Sequence, residues 1–135
     1  MLLIDTNIFL EVMLAQAKRK ACIEFLNSVR TSKQKAAVTD FTIYSIMIIL
    51  EGRGKLQDLD RFLRSLSAYK GITLYATSLE DKVDAVELAA SGDFDLDDAV
   101  QYASARRLRA KAVVSLDKDF DNRDIPRMDP SEFTS

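Results

Sequence analysis

Four aspartates stand at positions where a chain could gather them. Asp5 follows the apolar run Leu2–Ile4, Asp98 opens an alanine-containing stretch, and Asp117 closes the run "AVVSLD", with Asp119 two residues on. Three or four carboxylates at one edge of a fold repel unless a cation lies among them, and carboxylate oxygens suit Mg²⁺ or Mn²⁺. Such a cluster prepares a water for attack on phosphate and stabilises the charge that develops, with two ions roughly 3.5–4 Å apart in its full form. The sequence contains no histidine. That excludes Ser-His-Asp and Cys-His nucleophilic catalysis and every imidazole base or ligand, so any catalysis rests on carboxylates, Lys, Tyr or Ser.

The elements that would position these acids can be read from periodicity. Leu2–Ile4, Ala36–Asp40, Ile72–Thr77 and Ala112–Asp117 are short apolar runs of the kind that form strands buried on both faces. Between them, Ile8, Phe9, Val12 and Met13, then Ala21, Phe25, Leu26 and Val29, recur at helical spacing. A helix from Phe41 ends at Gly52 and Gly54, and Leu56, Leu59, Leu63 and Leu66 mark an amphipathic one. "SLED" (Ser78 to Asp81) has the form of a capping box, and Asp95 or Asp97 is placed to cap "DAVQYASARRLRA". Ile125–Met128 reads as a short strand that Pro126 confines to an edge. Strands alternating with helices predict a single α/β domain over residues 1–135, a three-layer α/β/α arrangement around a parallel sheet of four to five strands. In such a sheet the ligand site lies beyond the C-terminal strand ends. Asp5 is therefore expected to be a ligand more than a helix cap, with Thr6 or Asn7 free to cap.

Composition bounds the reading. The balance of 47% hydrophobic and 30% charged residues is that of a globular chain. The longest apolar run, Ile46–Leu50, is too short to cross a bilayer, and the single cysteine, Cys22, lies among apolar residues without an internal partner. A cytoplasmic, membrane-free protein is expected. The net charge of −2 is uneven: residues 1–70 carry 11 basic and 7 acidic side chains, residues 71–135 carry 8 and 14. The acidic excess lies in "DFDLDD" and "DKDFDNRD", around the candidate ligands. "KRK" (Lys18–Lys20) and "RRLRAK" (Arg106–Lys111) are candidates for phosphate contacts or simple helix-end charges. Tyr44 and Tyr102 either stack on bases or, as helical spacing favours, are partly buried.

"LLIDTNIFLE", "LDDAVQYASA" and "VVSLDKDFD", in that order and at these separations, resemble the signature of PIN-domain ribonucleases, in particular the VapC-type toxins of prokaryotic toxin–antitoxin pairs. The resemblance covers nearly the whole chain. It implies a parallel sheet between helices and cleavage of single-stranded RNA, or RNA in exposed loops, with Mg²⁺ or Mn²⁺. It also implies a homodimer and a small antitoxin whose segment occupies the acidic cleft. By resemblance Asp5, Asp98 and Asp117 are the metal-holding acids, Asp119 a supplement, and Thr6 and Asn7 the small polar residues beside the first acid. The family's glutamate on the helix after the second strand aligns with Ser45, which carries no charge; Asp40 at the strand end is a candidate to replace it, and Glu51 lies farther along the helix. Asp98 is expected to be a ligand and Asp97 a cap.

Other classes fit less well. A response-regulator receiver wants an acidic pair after the first strand, and a phosphatase of the haloacid dehalogenase type wants an aspartate where Asn7 stands. A nucleotide-binding domain wants a glycine-rich loop, and none of the four glycines is so arranged. The competing expectation is a non-catalytic PIN-like module, binding RNA or protein, whose metal site is degenerate at Ser45.

Overall fold

The computed structural model describes residues 1–133, so the expected domain end at Ser135 lies outside the described residues. Five strands form one parallel sheet: β1 (Leu2–Ile4), β2 (Ala36–Thr39), β3 (Ile72–Tyr75), β4 (Ala112–Val114) and β5 (Arg127–Met128), in the order β3-β2-β1-β4-β5. In register, Leu2 pairs with Ala36 and Ala112, and Ile4 with Val114. β1, β2 and β4 are buried throughout, as their unbroken apolar runs require, whereas edge strand β3 leaves Leu74 61% exposed.

The helices between strands are α1 (Thr6–Met13), α2 (Arg19–Arg30), α3 (Asp40–Gly52), α4 (Leu56–Leu66), α5 (Leu79–Ala90) and α6 (Leu96–Leu108). Right-handed crossovers from β1 through β2 to β3 place the first four on one face. There Ile8, Phe9, Phe25, Ile46 and Leu50 pack on Leu2, Ile4 and Val38. The chain then crosses back to β4, which puts α5 and α6 on the other face, where Ala85, Ala99, Ala103 and Phe120 pack on Leu3, Ala37 and Val113. Alternate residues of β1 thus feed opposite cores, and the expected three-layer α/β/α arrangement stands. The strand order reverses between β1 and β4.

The capping box at Ser78 forms as read: the Ser78 hydroxyl accepts from Asp81 N–H and the Asp81 carboxylate from Ser78 N–H. Gly54 ends the α3 segment at φ +69°, a left-handed conformation that glycine adopts without strain. Gly71 is needed for a different reason, since a Cβ there would lie 2.3 Å from the Gln34 carbonyl oxygen and 2.6 Å from that of Val29.

Several expectations need correction. The strand expected to reach Asp117 ends at Val114, because Ser115 to Asp117 turn into the short 3₁₀ segment Lys118–Phe120; the strand expected to reach Thr77 ends at Tyr75. Tyr44, expected to be partly buried, is 62% exposed, and Ile48 is 71% exposed. α3 buries Thr42, Ile46 and Leu50 and packs Ile43 and Met47 against the same core, so its Tyr44–Ile48 side faces out. Tyr102 is buried against Phe94, its hydroxyl accepting from Ile125 N–H, and is closed to base stacking. In α4, Leu59 and Leu66 are core and Phe62 packs edge-on to Phe9 at 5.3 Å, while Leu56 at the start of the stripe is 57% exposed. Cys22 is buried, as expected. Among the described residues no helix is long and apolar enough to cross a membrane.

Candidate metal centre

The reversal of strand order between β1 and β4 opens a crevice at their C-terminal ends, and the chain places Asp5 on one side of it and Asp117 on the other. The cleft encloses about 280 Å³. Asp5, Asp97, Asp98 and Asp117 line its acidic side; Leu10, Phe41 and Ile49 line an apolar wall, and Ser45 faces into the cleft with Thr6, Asn7 and Gln101.

Asp5 is the N-cap of α1, with φ −75° and ψ 153°, and its Oδ1 accepts from Thr6 N–H at 2.8 Å. The expectation that Thr6 or Asn7 would cap is therefore corrected. A carboxylate has about four acceptor sites, so capping α1 and facing the cleft are compatible. Its Oδ2 accepts from the Ser115 hydroxyl at 2.7 Å. Ser115 is fully buried, and its Oγ also accepts from Asn7 Nδ2 at 3.1 Å and from Asp117 N–H at 2.9 Å, while Asn7 Oδ1 accepts from Leu116 N–H at 3.3 Å. Ser115 and Asn7 thus join the ends of β1 and β4 and set the spacing between Asp5 and Asp117. Thr6 shares a hydrogen bond with Thr42 across to α3, at 2.8 Å.

Asp98 lies in the first turn of α6, whose N-terminal dipole favours a carboxylate. Its carboxylate also forms a group with those of Asp95 and Asp119, their oxygens lying within 4.8 Å of one another. Asp95 occupies the N-cap position of α6 but makes no capping hydrogen bond. Asp97, expected to cap, instead sits inside the first turn and lines the cleft. All-oxygen donors of this kind fit a hard divalent cation such as Mg²⁺ or Mn²⁺ and exclude a soft-metal centre.

The electrostatics point the same way. Burial, then the neighbouring charges of Asp117, Asp5 and Asp97, then a hydrogen bond with Asp117 push the Asp98 carboxyl up to about 7. Burial likewise raises Asp5, against the lowering effect of its bonds from Ser115, Thr6 and Gln101. A carboxyl whose folded value lies above its ordinary 3.8 binds more protons in the folded than in the unfolded state between those limits. Metal-free protein is therefore expected to lose stability as pH rises from about 4 to about 7. Urea titrations in EDTA across that window check this, and the loss should shrink in saturating Mn²⁺, because the cation favours the charged carboxylates.

The remaining candidates are placed elsewhere. The Asp40 carboxylate accepts from the backbone and hydroxyl of Thr77, at 3.1 and 2.8 Å, and Glu51 is exposed near the end of α3. Neither lines the cleft, so neither stands in for the charge that Ser45 lacks. Lys18 and Lys20 border a larger depression of about 540 Å³ beside Leu116, but Glu24 and Asp129 border it too. Arg107 is held by Glu80, Asp81 and Asp84, and the basic stretch around it ends α6, roughly 15 Å along the helix from Asp98 at 1.5 Å per residue. Sequence reasoning missed Ser115, Gln101 and Asp95. Ser115 carried a weak signal, as a hydroxyl two residues before a strand-end acid. Gln101 carried one too, as a large polar residue one turn from Asp98 on a small-residue helix.

Comparison with curated protein sequences yields no match. Among solved structures, a toxin–antitoxin complex from Klebsiella pneumoniae superposes with a TM-score of 0.71 at 18% identity, covering 96% of this chain and 98% of that one. VapC20 of Mycobacterium tuberculosis, described as a sarcin-ricin loop cleaving toxin, gives 0.74 at 12% identity over 88% and 92% of the two chains. FitAcB from Neisseria gonorrhoeae gives 0.72 at 18% identity over 96% and 98%. At these identities the likeness is one of fold. The PIN-domain profile matches residues 2–126 of the sequence itself, from the first strand past the last of the clustered acids, and the chain belongs to the PIN-domain family.

Proposed function

We propose that the protein is a divalent-metal-dependent endoribonuclease and the toxin of a toxin–antitoxin pair. The observation that carries this reading is the convergence of Asp5, Asp98 and Asp117 on one cleft at the reversal of strand order, with Asp98 pushed up to about 7 by burial and then by its acidic neighbours. Carboxylates crowded in this way are stabilised by a cation, and a cleft lined by carboxylates attracts a polyanion only when cations neutralise it. When bound, Mg²⁺ or Mn²⁺ would polarise the scissile phosphate and lower the pKa of an attacking water. Asp5 and Asp98 would hold the main ion. Asp117, with Asp119 beside it, would help to hold a second or orient the nucleophile. Asn7 and Thr6 brace the first acid. The apolar wall of Leu10, Phe41 and Ile49 offers a surface for bases, and exposed Tyr44 on the same helix is free to stack.

The relatives of this fold described as a toxin–antitoxin complex and as a toxin support an antitoxin partner; a homodimer, and an antitoxin segment seated in the cleft, belong to the same proposal and rest on the family resemblance. An RNA substrate and a lone reduced cysteine fit the cytoplasm. An adjacent small gene for a DNA-binding protein would add support.

Ser45 favours a second reading, a PIN-like interaction module without cleavage, because it leaves the cleft without the family's glutamate. The experiment that decides between them incubates the protein with structured and unstructured RNAs. Wild type is expected to cut weakly, preferring Mn²⁺ at high concentration. Ser45→Glu should raise the rate about tenfold or more, equivalent to about 1.4 kcal/mol of transition-state stabilisation or greater. If no RNA is cut even by Ser45→Glu, the interaction reading replaces the nuclease.

A further inference from the structure

Gln101 is 1% exposed, yet it carries an amide into the polar end of the core. Its Nε2 lies 2.6 Å from Thr42 Oγ, 3.2 Å from Asp5 Oδ1 and 3.2 Å from Thr6 Oγ, and its Oε1 accepts from the Thr39 hydroxyl at 2.9 Å. The amide has one self-consistent orientation. The Asp5 carboxylate is an acceptor and needs the N–H side, which leaves Oε1 to accept from the Thr39 hydroxyl; that hydroxyl also donates to Thr42 Oγ at 3.3 Å and accepts from Thr42 N–H at 3.1 Å. No buried side-chain polar atom among the described residues lacks a partner, so this network is complete.

One side chain of α6 thereby grips both strand-to-helix junctions beside it: β1 to α1 through Asp5 and Thr6, and β2 to α3 through Thr39 and Thr42. Asp98 stands one turn before Gln101 on the same face of α6, so the grip also fixes where Asp98 meets Asp5. Asp5 takes hydrogen bonds from Thr6 N–H, Ser115 and Gln101, which fill three of about four acceptor sites and leave about one for a cation. An arginine or lysine in place of Gln101 would neutralise Asp5, and a glutamate would repel it. An amide orients the carboxylate and leaves its charge for the ion.

We propose that Gln101 is a positioning residue that holds Asp5, and through α6 Asp98, in the geometry that binds the divalent ion. This rests on the proposed metal-dependent function. The test titrates Mn²⁺ into wild type and the near-isosteric Gln101→Met and reads free Mn²⁺ by electron paramagnetic resonance, with no RNA present. Loss of a partner that orients a ligand typically weakens metal binding about 10–100-fold, and that increase in Kd is expected here, with a lower kcat and unchanged KM on RNA. A folded Gln101→Met variant that binds Mn²⁺ within about threefold of wild type overturns the proposal.

A second measurement stands if that variant does not fold. Melting temperatures in EDTA are compared for Gln101→Glu with Asp5 present and in the Asp5→Asn background, where amide and carboxylate have traded places. The loss is expected to be larger by several degrees with Asp5 present. Equal losses overturn the proposal. This cycle uses neither metal nor RNA, so it tests the hold of Gln101 on Asp5 separately from the proposed function; a wild type that binds no Mn²⁺ and cuts no RNA would count against that function instead.

Discussion

Replacing Asp98 with Asn is expected to lower RNA cleavage by roughly 10²–10⁴-fold while leaving the metal-free protein at least as stable as wild type near pH 8. The loss follows from removing a ligand of an ion that supplies several kcal/mol of transition-state stabilisation, at about 1.36 kcal/mol per tenfold. The stability follows from the same residue's surroundings. Asp98 is partly buried beside Asp117, Asp5 and Asp97, and an amide there removes a repulsion without removing a packed group. Asp5→Asn should also abolish cleavage but at a cost in stability, because Asp5 accepts from Thr6 N–H, Ser115 and Gln101, and an amide cannot accept all three. Single-turnover rates and urea midpoints in EDTA check both. Asp98→Asn with unchanged cleavage would remove Asp98 from the mechanism, and cleavage surviving Asp5→Asn would indicate a contaminating nuclease.

Phe120→Ala is the substitution expected to damage the fold most, by about 3–5 kcal/mol, the usual cost of emptying a fully buried aromatic site. That is a large share of a domain's stability, which is about 5–15 kcal/mol. Phe120 is fully buried in the second core, 5.7 Å from the Phe94 ring, which itself lies 4.9 Å from Tyr102 and beneath the Arg123 guanidinium at 4.0 Å. The residue closes the 3₁₀ segment whose cap is Asp117, the Asp117 carboxylate accepting from Asp119 N–H at 2.9 Å. The aromatic cluster is therefore the floor under two of the clustered acids, and Phe94 lies one residue before Asp95. Urea unfolding measures the loss. A loss below about 1 kcal/mol would show that the site collapses around the gap.

Much of this arrangement was legible in the sequence because it is written in two periodicities. Unbroken apolar runs gave the buried strands, helical spacing gave the helices between them, and a parallel sheet then required Asp5 and Asp117 to meet at one edge. The capping box at Ser78 was legible because its two bonds are local. Other features depend on where an element lies, which spacing does not encode. α3 is apolar nearly all round, so Tyr44 read as partly buried; the helix turns other faces to the core and the cleft, which leaves Tyr44 and Ile48 exposed. Asp40 looked like a spare acid, but a loop after β3, remote in sequence, claims it through Thr77. The question of cap or ligand at Asp5 had no single answer, since a carboxylate at a strand-to-helix junction has acceptor sites enough for both. Gln101 and Ser115 are single polar residues without a repeating pattern, and only the assembled contacts show that they brace Asp5.

On this reading water, activated in the cleft, breaks an RNA phosphodiester bond. Cleaving one of the tested RNAs in ¹⁸O-labelled water with Mn²⁺ present, and identifying the new ends by mass spectrometry, reads that step itself. Hydrolysis should leave one ¹⁸O on the newly formed terminal phosphate and no cyclic phosphate, with no product in EDTA or from Asp98→Asn. A 2′,3′-cyclic phosphate without label, formed equally well in EDTA, would contradict it.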